Sequence, residues 1–263
     1  MSEDELLELF RQITAAVMAR LAAEGDWGLV PGSRALHHSD LAADSVVVEL
    51  LERAGLGVLS EESGLHHAER DVLVVVDPLD GSTNASLGLP WYAVSLCAVD
   101  AGGPLVALVT NLASHEAFYA IRGRGAYRSV EGSLDWMRIT PSGCSTLSDA
   151  VIGISGMPPG PLGWRQFRAY GAAALDLCSV ACGRLDGFVD CSVDAHGVWD
   201  YLGGVLVCQE AEAVCGDALD RSLVILDPVA RRTPVAGATP ELLASLLAAR
   251  RQAFEATDEV ERG

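Results

Sequence analysis

Leu6, Leu9, Ile13, Val17 and Leu21 recur at helical spacing behind Ser2, which stands three residues before Glu5 in the pattern of a capping box. This predicts a helix running to about Ala23. After a Gly- and Pro-containing loop, Ser39 is the expected N-cap of a second amphipathic helix through Arg53, with Asp40 and Asp44 in its first turns and Gly55 and Gly57 closing it. From Val58 onward short apolar runs alternate with turn signals, and Val72–Val76, Tyr92–Val99, Leu105–Asn111, Ala117–Ile121 and Ala126–Tyr127 read as strands. Ala172–Arg184 then reads as a helix, Phe188–Val189 as a short strand and Asp200–Ala211 as a second apolar helix. Thr239-Pro240-Glu241 opens a last helix carrying Leu242, Leu243, Leu246 and Leu247. A helix pair, a mostly antiparallel sheet and a smaller C-terminal α/β half predict a layered α+β fold in which two sheets share helices between them. No repeat or composition break marks a linker, so residues 1–263 are expected to form one domain with approximate halves 1–145 and 146–263.

Half of the 263 residues are hydrophobic, enough for sizeable cores without covalent staples, and this rules out disorder as the main state. Acidic residues outnumber basic ones 36 to 18, and the basic residues are scattered, so a nucleic-acid partner is not expected. Such a chain is better suited to presenting carboxylates to cations. Seven cysteines, an odd number without C-x-x-C spacing, read as reduced core thiols. The N-terminus is acidic where a secretory signal is basic, and the uncharged run Gly81–Val99 is interrupted by polar residues, Gly88 and Pro90. A cytoplasmic protein without a membrane span is the expectation.

The apolar run Val72–Val76 leads directly into Asp77-Pro78-Leu79-Asp80-Gly81-Ser82-Thr83-Asn84. Two carboxylates at the carboxyl end of a buried strand point into the crevice where layered α/β sheets bind ligands, and Gly81 lets backbone N–H groups approach an anion closely. Alone, the octapeptide reads equally well as a polar turn, and Leu79 excludes a calcium-loop pattern. Ser60-Glu61-Glu62-Ser63-Gly64 reads by itself as a solvated turn, and Asp200 as an ordinary helix-terminal acid. Together Glu61, Asp77, Asp80 and Asp200 supply four carboxylates with no His or Cys at matching spacing, a donor set suited to Mg²⁺ or Mn²⁺. Gly123-Arg-Gly125 lacks the third glycine of a dinucleotide loop, and Gly153-Ile-Ser155-Gly156 is one residue short of a nucleophile elbow. His37-His38 and His66-His67 are read as solvated pairs.

The order S-E-E-S-G, D-P-L-D-G-S-T-N, W-D-Y-L-G-G resembles the inositol monophosphatase family of lithium-sensitive, Mg²⁺-dependent phosphomonoesterases. Trp91–Asp100, Ala117–Tyr127 and Gly171–Asp190 extend the resemblance over nearly the whole chain. It implies an αβαβα sandwich, a homodimer, and two or three Mg²⁺ ions per site for which Mn²⁺ substitutes. Carried over by residue, Glu61, Asp77 and the Leu79 carbonyl would hold one ion, and Asp77 would bridge to a second held by Asp80 and Asp200. Ser82, with Asp40, would orient a metal-activated water that Glu61 shares, Gly81, Ser82 and Thr83 would bind the phosphate, and Asp190 would meet substrate hydroxyls. The implied reaction is hydrolysis of a small-molecule phosphate ester. Inositol monophosphate or a related polyol or sugar phosphate comes first, because no basic cluster stands near the motifs. Fructose bisphosphate, 3′-phosphoadenosine nucleotides, histidinol phosphate and a catalytically silent regulatory homologue are the alternatives. Ser82 stands where the family has Thr, Ala85 where an aromatic is usual, and Asp190 lies ten residues before Asp200, a longer separation than the family's.

Overall fold

Ser2 and Glu5 exchange the two hydrogen bonds of a capping box, Ser2 N–H to Glu5 Oε2 at 2.7 Å and Glu5 N–H to Ser2 Oγ at 3.3 Å, and so begin α1 (Glu3–Ala22). The computed structural model describes residues 1–33, 36–129 and 135–262, and no side chain beyond residue 256. Helix α2 (His38–Arg53) starts before the expected cap, with His37 in the N-cap position. Asp40 closes this end by accepting the His37 backbone N–H at 2.7 Å, so Ser39 lies inside the first turn and is fully buried.

The first sheet contains β1 (Gly57–Ser60), β2 (Gly64–His66), β3 (Leu73–Asp80), β4 (Ala93–Asp100), β5 (Gly103–Asn111), β6 (Ala117–Ile121), β7 (Gly125–Ser129) and β8 (Met137–Arg138). Its order is β2-β1-β3-β4-β5-β6-β7-β8, antiparallel except where β1 runs parallel to β3. The short helix α3 (Ser82–Ser86) follows β3 directly. The second sheet, in the order β10-β9-β11-β13-β12, is built from β9 (Val151–Ser155), β10 (Gln166–Arg168), β11 (Gly187–Asp190), β12 (Val214–Asp217) and β13 (Pro234–Gly237). Helices α4 (Ala173–Ala181), α5 (Val198–Glu210) and α6 (Pro240–Arg262) complete the chain, and Thr239 Oγ1 accepts the Leu242 N–H at 3.2 Å to cap α6.

Alternation along the strands decides the layers. Val74 and Val76 face α1 and α2, where Phe10, Ile13, Val47 and Leu51 meet them, whereas Val75 faces the other way among Leu177, Leu202 and Leu206 of α4 and α5. Because both faces of this sheet are covered, its central strands are continuous apolar runs instead of alternating ones. Leu242 and Leu246 of α6 cover the outer face of the second sheet against Ile152, Ile154 and Val235. The result is the expected αβαβα sandwich. All seven cysteines are free, and no helix among the described residues is long and apolar enough to cross a membrane.

The middle layer is tight because α5 carries two adjacent glycines. A Cβ on Gly203 would meet Ser95 Oγ at 2.7 Å, and one on Gly204 would meet Leu177 Cβ at 2.7 Å. Helix α5 therefore sits close to both the first sheet and α4, which fixes how far its first turn reaches toward the ends of β1 and β3. Gly204→Ala is expected to destabilise the protein by about 1–3 kcal/mol through overpacking. The check is urea unfolding, in which the midpoint should fall; an unchanged midpoint would show that α4 and α5 separate without cost.

Candidate active site

The parallel pairing of β1 and β3 sets Ser60 beside Val76, and the Glu61 N–H donates to the Val76 carbonyl at 3.2 Å. The next residues along the two strands, Glu61 and Asp77, therefore stand close together at this end of the sheet. Asp44 of α2 fixes the turn that carries Glu61, its Oδ1 accepting the Ser60 hydroxyl at 2.5 Å and the Ser63 hydroxyl at 3.2 Å. On β3 the register slips, since Asp77 pairs with Ser95 but Asp80 with Ala93. One extra residue stands on β3, in the stretch containing Pro78, which has no N–H to give to the ladder. In a regular strand residues three apart point to opposite faces; the bulge turns Asp77 and Asp80 toward one cavity.

Helix α5 brings the remaining acid. Asp200 Oδ2 accepts the Gly197 N–H at 2.7 Å, which orients the side chain at the helix start. One carboxylate oxygen each from Glu61, Asp77 and Asp200 lie within 4.8 Å of one another. Asp80 lines the same cavity of about 470 Å³ but stands outside that group of three, and its Oδ2 accepts the Ala174 N–H at the start of α4 at 2.8 Å. Leu79 is buried in the cavity wall, with its N–H donated to Asp77 Oδ1 at 2.9 Å.

Burial pushes the Asp77 carboxyl well above its ordinary pKa, and the neighbouring charges of Glu61, Asp80 and Asp200 push it further. Glu61 is an exposed residue that lines the cavity, and partial desolvation there, then the charges of Asp200 and Asp40, raise it to about 7. Asp80 rises to about 8, chiefly through burial, and Asp200 to about 7 through burial against a lowering by His196. Glu62, in the same wall, is raised to about 8 by burial and then by Glu61 and Asp40. Carboxylates of this density at neutral pH require a counter-charge, and an all-oxygen donor set fits a hard divalent cation. Asp40 adds a further unused acceptor, because its Oδ1 is buried with no hydrogen-bond partner.

Gly81 turns the chain from β3 into α3 with φ 85°, and a Cβ there would meet the Trp91 carbonyl at 2.9 Å. Gly81, Ser82 and Thr83 line the same cavity as the carboxylates, and the Ser82 hydroxyl lies near enough to Asp40 to favour its ionised form. The structure does not bring Asp190 to this wall. It is fully buried at the end of β11, where Oδ1 accepts the Ser192 N–H and Oδ2 meets His196 Nδ1, both at 2.8 Å. The longer segment between Asp190 and Asp200 folds His196 over it. Asp194 points elsewhere, to an ion pair with Arg221 at 2.8 Å. His37 is buried with Nδ1 3.5 Å from Asp40 Oδ2, not solvated as expected, and His66 and His67 reach Glu52 at 3.3 and 3.4 Å. Arg231 escaped the sequence reading. It lies in the cavity wall with its guanidinium 5.2 Å over the Trp199 ring, and Nη1 donates to the Pro228 and Ala230 carbonyls at 3.0 Å each.

Comparison with known proteins matches residues 37–255 to the model of the inositol monophosphatase family. A Nus factor SuhB of Xylella fastidiosa is 32% identical over 185 residues, which cover 65% of each chain, just under two thirds of that relative's length. An inositol-1-monophosphatase of Caulobacter vibrioides is 33% identical over 193 residues, 66% of this chain and 72% of that protein. Among solved structures, the extragenic suppressor protein suhB of Bartonella henselae superimposes with a TM-score of 0.78 at 27% identity, covering 94% of this chain and 98% of that one.

The raised carboxyls set a pH dependence. Because their folded pKa values, about 7 to about 8, lie above the ordinary carboxylate range, the folded state binds more protons than the unfolded state between the two. Stability without a cation is therefore highest at low pH and falls as pH rises through that window. In chelator the melting temperature should drop between roughly pH 5 and pH 8, and Mg²⁺ should restore more of it at the upper end. Asp77→Asn should raise stability in chelator at the upper pH and abolish the Mg²⁺ response. A melting temperature in chelator that stays flat or rises over this range would contradict the electrostatic account.

Proposed function

Because the chain belongs to the inositol monophosphatase family, we propose that it hydrolyses a phosphate monoester with the help of Mg²⁺, inositol monophosphate or a related polyol or sugar phosphate coming first. The observation that carries this reading is the convergence of Glu61, Asp77 and Asp200 oxygens within 4.8 Å in a cavity that Gly81, Ser82 and Thr83 also line. Glu61, Asp77 and the Leu79 carbonyl would hold one ion, and Asp77, Asp80 and Asp200 a second. Bound there, Mg²⁺ supplies a lowered water pKa and stabilisation of charge on the phosphoryl and leaving oxygens.

The chain's own residues do the positioning. The first N–H groups of α3 have no partner within the helix, and because Gly81, Ser82 and Thr83 line the cavity these groups would donate to phosphate oxygens there. The Ser82 hydroxyl, oriented by Asp40, holds the attacking water in line, and Glu61 accepts its proton. Mn²⁺ is expected to replace Mg²⁺, and lithium to inhibit. Asp190 takes no direct part, because both of its oxygens are engaged below the cavity surface. Arg231, a cation in a wall of carboxylates, supports keeping substrates with a second anionic group, such as sugar bisphosphates and 3′-phosphoadenosine nucleotides, among the candidates.

A second reading is favoured by the name Nus factor that relatives carry: the chain would act as a binding partner with or without turnover. Phosphate release from a panel of phosphorylated metabolites, with Mg²⁺ and after chelation, separates the two. Mg²⁺-dependent release supports the enzyme, and no release from any member supports the binding role.

Asp200→Asn keeps shape but removes a charge, and kcat should fall by about 10²-fold or more. An unchanged kcat with unchanged Mg²⁺ dependence would leave Asp200 as a helix-terminal acid only. Ser82→Ala should lower kcat by about 10²-fold while sparing KM, because the backbone N–H remains. Asp40→Asn should lose less, and the double variant should lose no more than Ser82→Ala alone. A raised KM with unchanged kcat for Ser82→Ala would instead assign Ser82 to ground-state substrate contact.

A further inference from the structure

Arg231 stands on the segment between β12 and β13, and its backbone is fixed from both sides. The Ala230 N–H donates to the Asp227 carbonyl at 3.2 Å and the Val229 N–H to Asp227 Oδ1 at 3.0 Å, while the Arg232 N–H donates to the His196 carbonyl at 2.9 Å. The side chain is fixed as well. Its Nη1 donates to the Pro228 and Ala230 carbonyls at 3.0 Å each, and the guanidinium lies 5.2 Å over the Trp199 ring. What remains is the edge carrying Nε and Nη2, which donates to no acceptor among the described residues. Arg231 lines the cavity together with Asp40, Glu61, Glu62, Asp77, Asp80 and Asp200, and among the described residues it is the only basic side chain that does so. None of those carboxylates closes an ion pair on it.

We propose that Arg231 is a specificity-determining residue that receives a second anionic group, a carboxylate or a phosphate, on the alcohol part of the substrate. The inference deepens the phosphatase reading above and rests on it. The open Nε and Nη2 edge of a guanidinium presents two parallel N–H donors at the spacing of two oxygens of one carboxylate or phosphate. An arginine kept only to neutralise the wall would close that edge on a neighbouring carboxylate. Here the carbonyls of residues 228 and 230 and the Trp199 ring hold the group in place and leave the edge open. The reacting phosphate has its own donors at the start of α3. A second anion on the same substrate would otherwise meet a lining rich in carboxylates, and Arg231 is the one cation there to offset them. The cavity, about 470 Å³, has the volume of a small-metabolite site. Polyol monophosphates without a second anion leave the edge to water, so the residue discriminates by what it adds for substrates that carry one.

Two matched pairs of esters isolate the second anion. 2-Phosphoglycerate carries a carboxylate where glycerol 2-phosphate has a hydroxymethyl group, and fructose 1,6-bisphosphate carries a phosphate that fructose 1-phosphate lacks. Phosphate release with Mg²⁺ gives kcat/KM on each ester, and on inositol 1-phosphate, for wild type, Arg231→Gln and Arg231→Lys. Within at least one pair wild type should prefer the member with the second anion by about 10-fold or more, and Arg231→Gln should remove that preference. Arg231→Lys, which keeps the charge without the fork, should retain only part of it. The pair that responds identifies the second anion as carboxylate or phosphate. A ratio taken on one preparation is independent of the folded fraction, so a partly unfolded variant leaves the test intact. A preference that persists in Arg231→Gln would overturn the inference. Equal losses on both members of each pair would also overturn it, by assigning Arg231 to the reacting phosphate. Wild type that hydrolyses inositol 1-phosphate but shows no preference within either pair would overturn it while leaving the phosphatase reading in place. Release from none of the five esters would overturn that reading as well.

Discussion

Repulsion among Glu61, Asp77, Asp80 and Asp200 is the constraint on which the arrangement around the cavity depends. Each carboxyl is pushed above its ordinary pKa, with burial the larger cause and its neighbours' charges the smaller. Left in water, these groups would separate. They are held together because each is anchored in a different part of a rigid scaffold: Glu61 by the parallel register of β1 on β3, Asp77 and Asp80 by the bulge in β3, and Asp200 by the first turn of α5. The hydrogen bonds that orient them, from the Leu79, Ala174 and Gly197 N–H groups, each oppose a small part of the repulsion. The two cores on either side of the first sheet supply the rest of the stabilisation, and a bound divalent cation would turn the repulsion into attraction.

The scaffold has to be stiff for this to work. Val74 and Val76 pack toward α1 and α2 while Val75 packs toward α4 and α5, so β3 is clamped on both faces just before it delivers Asp77. Gly203 and Gly204 let α5 approach closely enough for Asp200 to reach the group. Gly203 and Gly204 therefore serve the packing of the middle layer and the site together, while the left-handed Gly81 serves the turn that leads from β3 into α3. Gly171, Trp199, Asp200 and Arg231 line the cavity from the C-terminal half, so it is shaped from both halves of the chain.

Much of this was legible before any coordinates. Helices with apolar residues at regular spacing and caps such as Ser2 and Thr239 were readable because the signal repeats over many residues, and Ala117–Ile121 matched its strand to the residue. Strands β9, β10, β12 and β13 were not read, since three to five residues give too short a pattern to stand against their neighbours. The carboxylates were found from residue type and order, while the bulge that makes Asp77 and Asp80 point together depends on pairing with β4, which no local pattern encodes. Arg231 was missed for a similar reason: it lies 31 positions after Asp200, and only the tertiary fold sets it over Trp199 in the cavity wall. Asp190 was picked out by its place in the chain, but whether it faces the cavity was decided by how the segment before α5 folds His196 against it.

The central claim is that the carboxylates of β1, β3 and α5 hold a divalent cation. Anomalous X-ray scattering from crystals of the protein soaked in Mn²⁺ tests it most directly. A manganese peak bounded by Glu61, Asp77 and Asp200, and absent from Asp77→Asn crystals treated identically, is the predicted result. A wild-type map with no peak between these three side chains, or a peak that persists undiminished without the Asp77 carboxylate, would contradict it.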